Sequence, residues 1–88
     1  MNYLLFTYPN CQKCDDLKKY LVGIELEGQE YNLILKESKL KIRDYLNSIK
    51  RDDKGAIIIP TLLLQDEGGV AAVVNDREEL EGWLRSRD

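Results

Sequence analysis

Histidine is missing altogether from these 88 residues, and cysteine occurs only twice. One chain can therefore offer a zinc ion half of a tetrahedral thiolate site at most, and a disulfide scaffold can hold no more than one bridge. Long apolar runs are missing too. No stretch approaches the ~20 apolar residues of a membrane-crossing helix, and the opening "MNYLLFTYPN" lacks the basic start and sustained apolar run of a signal peptide. A basic excess is also lacking. Against 13 Lys and Arg stand 16 Asp and Glu, a formal charge of −3, which speaks against nucleic acid as a partner. The cluster of Lys18, Lys19, Lys36, Lys39, Lys41 and Arg43 reads as solvated helix faces. A cytoplasmic protein with no membrane or nucleic-acid partner is expected. In such a reducing compartment a permanent structural disulfide has little place.

What is present describes a folded chain: 43% hydrophobic and 33% charged residues, which is ordinary for a globular protein. The length fits one domain over residues 1–88, burying ~60–65% of the surface the unfolded chain exposes, and so one modest core. "YLLFT" (3–7) reads as a strand buried on both faces. Pro9-Asn10 is a turn, with Asn10 as N-cap of a helix to about Val22 that carries Cys14, Leu17 and Leu21 on one face. Gly23 suits a left-handed stop. "YNLIL" (31–35) reads as a second strand, and a right-handed crossover makes it parallel to the first.

Ser38 then caps a helix to about Lys50 with Ile42, Tyr45, Leu46 and Ile49 as its apolar stripe, and Gly55 closes the segment. "AIIIPTLLLQ" (56–65) is the most apolar stretch, yet a proline inside a central strand removes a ladder donor. The strand is therefore expected to begin at Thr61, with a cis Ile59–Pro60 bond making the bend before it. "QDEGG" makes a hairpin, "VAAVV" returns antiparallel, and Asn75 or Asp76 caps a last helix with Leu80, Trp83 and Leu84 facing inward. The order is β-α-β-α-β-β-α.

Both cysteines lie in "YPNCQKCDD" (8–16), two residues apart, between a buried strand and a helix. Cys11 falls at the helix start, where unpaired backbone N–H groups and the helix dipole favour the negative charge of a nucleophilic thiolate. Lys13 adds positive charge, whereas Asp15 and Asp16 oppose it, so a moderately activated thiol is expected and not a strong oxidant. Cys14 sits one turn further in on the buried face. Cys11 is thus the candidate nucleophile and Cys14 the resolving thiol. Other readings stay open at this point: a metal site completed by carboxylates or shared across a dimer, or a pair of small buried hydrophobes.

The pair after the first strand ("FTYPNCQKC"), the proline before the third ("IIIPT"), the element order and the length together resemble the thioredoxin superfamily, its glutaredoxin-like branch in particular. The resemblance covers essentially the whole chain. It implies a thioredoxin-like α/β fold, a four-stranded mixed sheet flanked by three helices, and a dithiol–disulfide oxidoreductase acting on protein disulfides with no bound cofactor or metal. It further implies that the backbone before a cis-proline pairs with the substrate chain, which gives Ile59 and Pro60 a binding role. Tyr8, Gln12 and Lys13 are the candidates for substrate contact around the thiols.

Glutathione-using members of that branch differ from this chain at several positions. They usually carry Pro-Tyr between the cysteines, a lysine where Tyr8 stands, Thr-Val where Ile58-Ile59 stand, and Gly-Gly where Val73-Val74 stand. Asp76 is in place to meet a glutathione amino group or to serve as a helix cap. Each lost charged partner weakens binding by ~1.5–3 kcal/mol. The better comparison is with small redoxins reduced by a thioredoxin-reductase type enzyme, glutathione being the alternative electron donor. A monomer is expected. A redox-inert binding module using the groove near Tyr8, Lys13 and Pro60 is the reading from a different class.

Overall fold

The computed structural model describes residues Met1–Ser86. Four strands, β1 (Asn2–Thr7), β2 (Glu27–Asn32), β3 (Thr61–Asp66) and β4 (Gly69–Val74), form one mixed sheet in the order β2-β1-β3-β4. Three helices, α1 (Gln12–Val22), α2 (Lys36–Arg43) and α3 (Arg77–Ser86), complete the fold. β1 runs parallel to β2 and antiparallel to β3, and β3 antiparallel to β4. This open mixed α/β arrangement is compatible with a thioredoxin-like fold. Among the described residues no helix is long and apolar enough to cross a membrane.

The two central strands explain the two most apolar stretches of the sequence. Side chains alternate across a strand, so a strand covered on both faces needs apolar residues at every position. Leu5, Leu62 and Leu64 point to one face, where they meet Leu17 and Leu21 of α1 and Leu80 of α3. Leu4, Phe6 and Leu63 point to the other and meet Leu33, Ile42 and Ile49. Burying each such leucine contributes roughly 1.5–3 kcal/mol. β3 starts at Thr61 as the sequence predicts, because Pro60 ahead of it has no N–H to give to the ladder.

The second strand departs from expectation. It is Glu27–Asn32, "EGQEYN", and not the apolar 31–35 segment. An edge strand pairs on one side only and is exposed on much of its surface, so it needs no apolar run. The apolar residues come after it: Leu33 turns into the second core cluster, while Ile34 and Leu35 stay exposed. Gly28 is required where it stands, because a Cβ there would collide with the ring and carbonyl of Tyr3, its partner in the parallel register.

Four helix ends also differ. The N-cap of α1 is Cys11, not Asn10, and Gly23 after it keeps a right-handed φ of −83°. α2 begins after Leu35 without a side-chain cap, so Ser38 is a buried first-turn residue and not the cap. α2 also stops at Arg43, but turns continue it: the Tyr45 N–H donates to Ile42 O at 3.0 Å and the Ile49 N–H to Tyr45 O at 3.1 Å. The expected stripe of Ile42, Tyr45, Leu46 and Ile49 therefore still reaches its core. At α3 the choice between caps resolves to Asp76, whose Oδ1 accepts the Glu79 N–H at 2.8 Å.

Candidate redox site

The connection from β1 to α1 carries the thiol pair. Tyr8, Pro9 and Asn10 are exposed, and Asn10 takes a left-handed φ of 57°, which asparagine tolerates better than most residues. That turn brings Cys11 to the N-cap in extended conformation, φ −115° and ψ 106°. Its sulfur takes the place usually filled by a serine or aspartate oxygen and accepts the N–H of Cys14 at 3.1 Å. Two residues between the thiols thus make the spacing of an N-cap and the third helical residue, and one turn of helix brings the pair together. Cys11 and Cys14 are joined as a disulfide, their Cα atoms 5.2 Å apart, inside the usual ~4.4–6.8 Å range.

The two sulfur-bearing residues differ in access. Cys14 is only 1% exposed and packs inward, whereas Cys11 is half-buried at the helix start. Gln12 and Lys13 between them are exposed, and Tyr8 is 46% exposed. Of the acids that oppose a thiolate, Asp15 is drawn toward Lys18 at 3.5 Å. Asp16 and Lys13 instead line a shallow groove with Asp76, Arg77 and Glu78 at the start of α3.

Lys18 also reaches Glu30 on β2 at 3.3 Å, and Glu30 Oε2 accepts the hydroxyl of the buried Thr7 at 2.7 Å. Burial works against the Lys18 charge most strongly of any single influence, yet the hydrogen bond and charges of Glu30 and Asp15 together hold its ammonium above the ordinary lysine value. This lattice ties α1 to the edge strand just behind the site.

Pro60 enters from the neighbouring strand. The antiparallel register pairs Phe6 with Thr61, so the residue before Thr61 falls at the same sheet end as Thr7, from which the cysteine loop departs. The Ile59–Pro60 bond is cis. The side chain of Pro60 is fully buried, and that of Ile59 is partly buried against the second core cluster. Ile59 and Pro60 thus share the sheet end with Tyr8 and the thiol loop, with Gln12 and Lys13 on the first turn of α1.

One residue of this region escaped sequence reading. Asn75 stands between β4 and the Asp76 cap, only 8% exposed. Its Nδ2 lies 3.0 Å from Pro60 O, 3.3 Å from Ile58 O and 3.3 Å from Thr61 Oγ1. The sequence offered Asn75 only as an alternative helix cap, because its partners lie 14 to 17 residues away and no local pattern marks them.

Among the described residues, no three His, Cys, Asp or Glu side chains group closely enough to hold a metal ion. No protein-family profile matches the chain, and no curated protein matches it.

Proposed function

We propose that the chain is a thiol–disulfide oxidoreductase acting on protein disulfides by a dithiol mechanism. The single observation that carries this reading is the Cys11–Cys14 disulfide closed across the first turn of α1, with Cys11 half-buried at the helix start and Cys14 fully buried. In the reduced form the Cys11 thiolate attacks a substrate disulfide, forming a mixed disulfide and releasing the first substrate thiolate. Cys14, as its thiolate, then attacks Cys11 Sγ. The mixed bond breaks, the Cys11–Cys14 bond forms, and the second substrate thiolate leaves. Two electrons have passed to the substrate. A dithiol donor, such as a thioredoxin-reductase type enzyme, returns two electrons and two protons and restores the thiols.

Tyr8, Gln12 and Lys13 flank the attacking sulfur and offer contacts to the client, with the Ile59 main chain as the pairing element at the Pro60 turn. The chemistry needs no bound metal or cofactor, works as a monomer, and suits a cytoplasmic, reducing compartment. A glutathione-dependent version draws on the groove of mixed charge formed by Lys13, Asp16, Asp76, Arg77 and Glu78. It is the weaker reading, because the Asp76 carboxylate already serves the Glu79 N–H and no lysine stands at Tyr8.

The test is insulin reduction driven by dithiothreitol. Wild-type protein should accelerate it, Cys11→Ser should not, and Cys14→Ser should accumulate a mixed disulfide with its client in cell extract. Full activity of Cys11→Ser would sink the proposal.

A further inference from the structure

We infer that Asn75 is a positioning residue for the proposed reaction, holding the Ile58–Thr61 turn so that the Ile59 main chain is presented to an extended protein substrate. The inference rests on the oxidoreductase reading above and adds a residue that the reading does not contain.

Proline cannot tie the turn from its own nitrogen, since it has no N–H. The carbonyls on either side of Ile59 must be held from elsewhere. Thr61 Oγ1 donates to Ile58 O at 2.6 Å, so this hydroxyl is an acceptor toward Asn75 and the amide nitrogen of Asn75 is the donor. Its two hydrogens are shared among that hydroxyl, Ile58 O and Pro60 O, with Pro60 O the nearest at 3.0 Å. Residues 58, 60 and 61 are thereby gathered toward one side chain, and Ile59, between the two held carbonyls, is not among its partners.

Asn75 is itself fixed. Its N–H donates to Glu79 Oε1 at 2.9 Å, and Glu79 Oε2 pairs with Lys50 Nζ at 2.8 Å. Lys50 O in turn accepts the Ile58 N–H at 3.4 Å, which returns the connections to the turn. Asn75 Oδ1, by contrast, is buried with no hydrogen-bond partner, which is unfavourable for the fold. An apolar residue would avoid that penalty. The donor end is what the turn uses.

The experiment compares two substrates with dithiothreitol-reduced protein: insulin, which offers polypeptide main chain beside its disulfides, and hydroxyethyl disulfide, which offers none. Asn75→Ala should raise KM for insulin about tenfold, the effect of losing one well-placed hydrogen bond. Its single-turnover rate with hydroxyethyl disulfide and the Cys11–Cys14 reduction potential should stay at wild-type values. Thr61→Val, which removes the shared hydroxyl with little change of shape, should repeat the KM effect, and Thr61→Ser should restore it. The Thr61 pair carries the test alone if Asn75→Ala does not fold. An unchanged insulin KM, or an equal loss with the small disulfide, overturns the inference and leaves the oxidoreductase reading standing. A wild-type protein that reduces neither substrate overturns both.

Discussion

Reducing the Cys11–Cys14 disulfide should lower the unfolding free energy by about 1–1.5 kcal/mol, a figure that follows from loop length and helix position. The pair closes a loop of four residues, from sequence separation 3. Chain-entropy bookkeeping for a loop that short gives about 6 cal/mol/K, or about 2 kcal/mol at room temperature. The native state gives back little of this, because the 5.2 Å between the two Cα atoms is a separation that one helical turn supplies by itself and that lies inside the usual disulfide range. Opposing it, a thiolate at Cys11 gains from the α1 N-terminus and from the Cys14 N–H, a helix-end effect of about 0.3–1 kcal/mol. The remainder corresponds to a melting temperature lower by about 5–10 °C in a domain of this size. By the thermodynamic cycle, it also makes the folded pair about 20–30 mV more reducing than the same two cysteines in the unfolded chain. Urea unfolding with and without dithiothreitol at pH 7, checked against a glutathione redox titration, measures both arms of that cycle. A reduced form as stable as the oxidised one would refute the reasoning, since the helix start would then offset the whole loop-closure gain and leave the folded pair at the potential of the unfolded one.

Three further outcomes are expected. Gly28→Ala should destabilise by about 1–3 kcal/mol in urea unfolding, because its Cβ meets the Tyr3 ring and main-chain carbonyl and neither can move without disturbing the β1–β2 pairing. Asp76→Ala should cost about 1 kcal/mol by the same assay, through loss of the cap to the Glu79 N–H. Lys18→Met should remove a contribution of a few tenths of a kcal/mol, kept small by the 39% exposure of both Lys18 and Glu30 side chains. As the folded protein holds the Lys18 proton more tightly than the unfolded chain, that contribution is complete below the ordinary lysine value and disappears as pH rises through the folded one. Wild type and variant should thus converge in stability in strongly alkaline urea melts.

Local features were legible and distant ones were not. The thiol pair could be read because an N-cap and the third helical residue are set by one turn of chain, and Pro60 because a proline contradicts any central strand that contains it. β2 was misplaced because burial pattern is the signal for strands, and an edge strand of "EGQEYN" has none to show. The Asn10 cap failed for a smaller reason: Cys11 sulfur supplies the acceptor one residue later, which frees Asn10 to make the left-handed turn. Asn75 was unreadable as anything but a cap, since the carbonyls it meets belong to the segment that enters the β3–β4 hairpin, 15 to 17 residues earlier in the chain.

The mixed sheet explains why such distant pieces meet. Because β1 is parallel to β2 and antiparallel to β3, the last residues of β1 and β2 and the first of β3 share one end, with Thr7 opposite Asn32 and Phe6 opposite Thr61. Three connections therefore leave or arrive at that end: the cysteine loop, the segment carrying Leu33 to Leu35, and the Pro60 turn. The antiparallel return of β4 pairs Val74 with Leu62, which delivers Asn75 to the same place. Each segment is polar or apolar for its own local reason, and none encodes a site alone. The exposed Tyr8, Ile34 and Leu35 stand on connections leaving this end. Strand direction thus does more to assemble the candidate site than any residue in it.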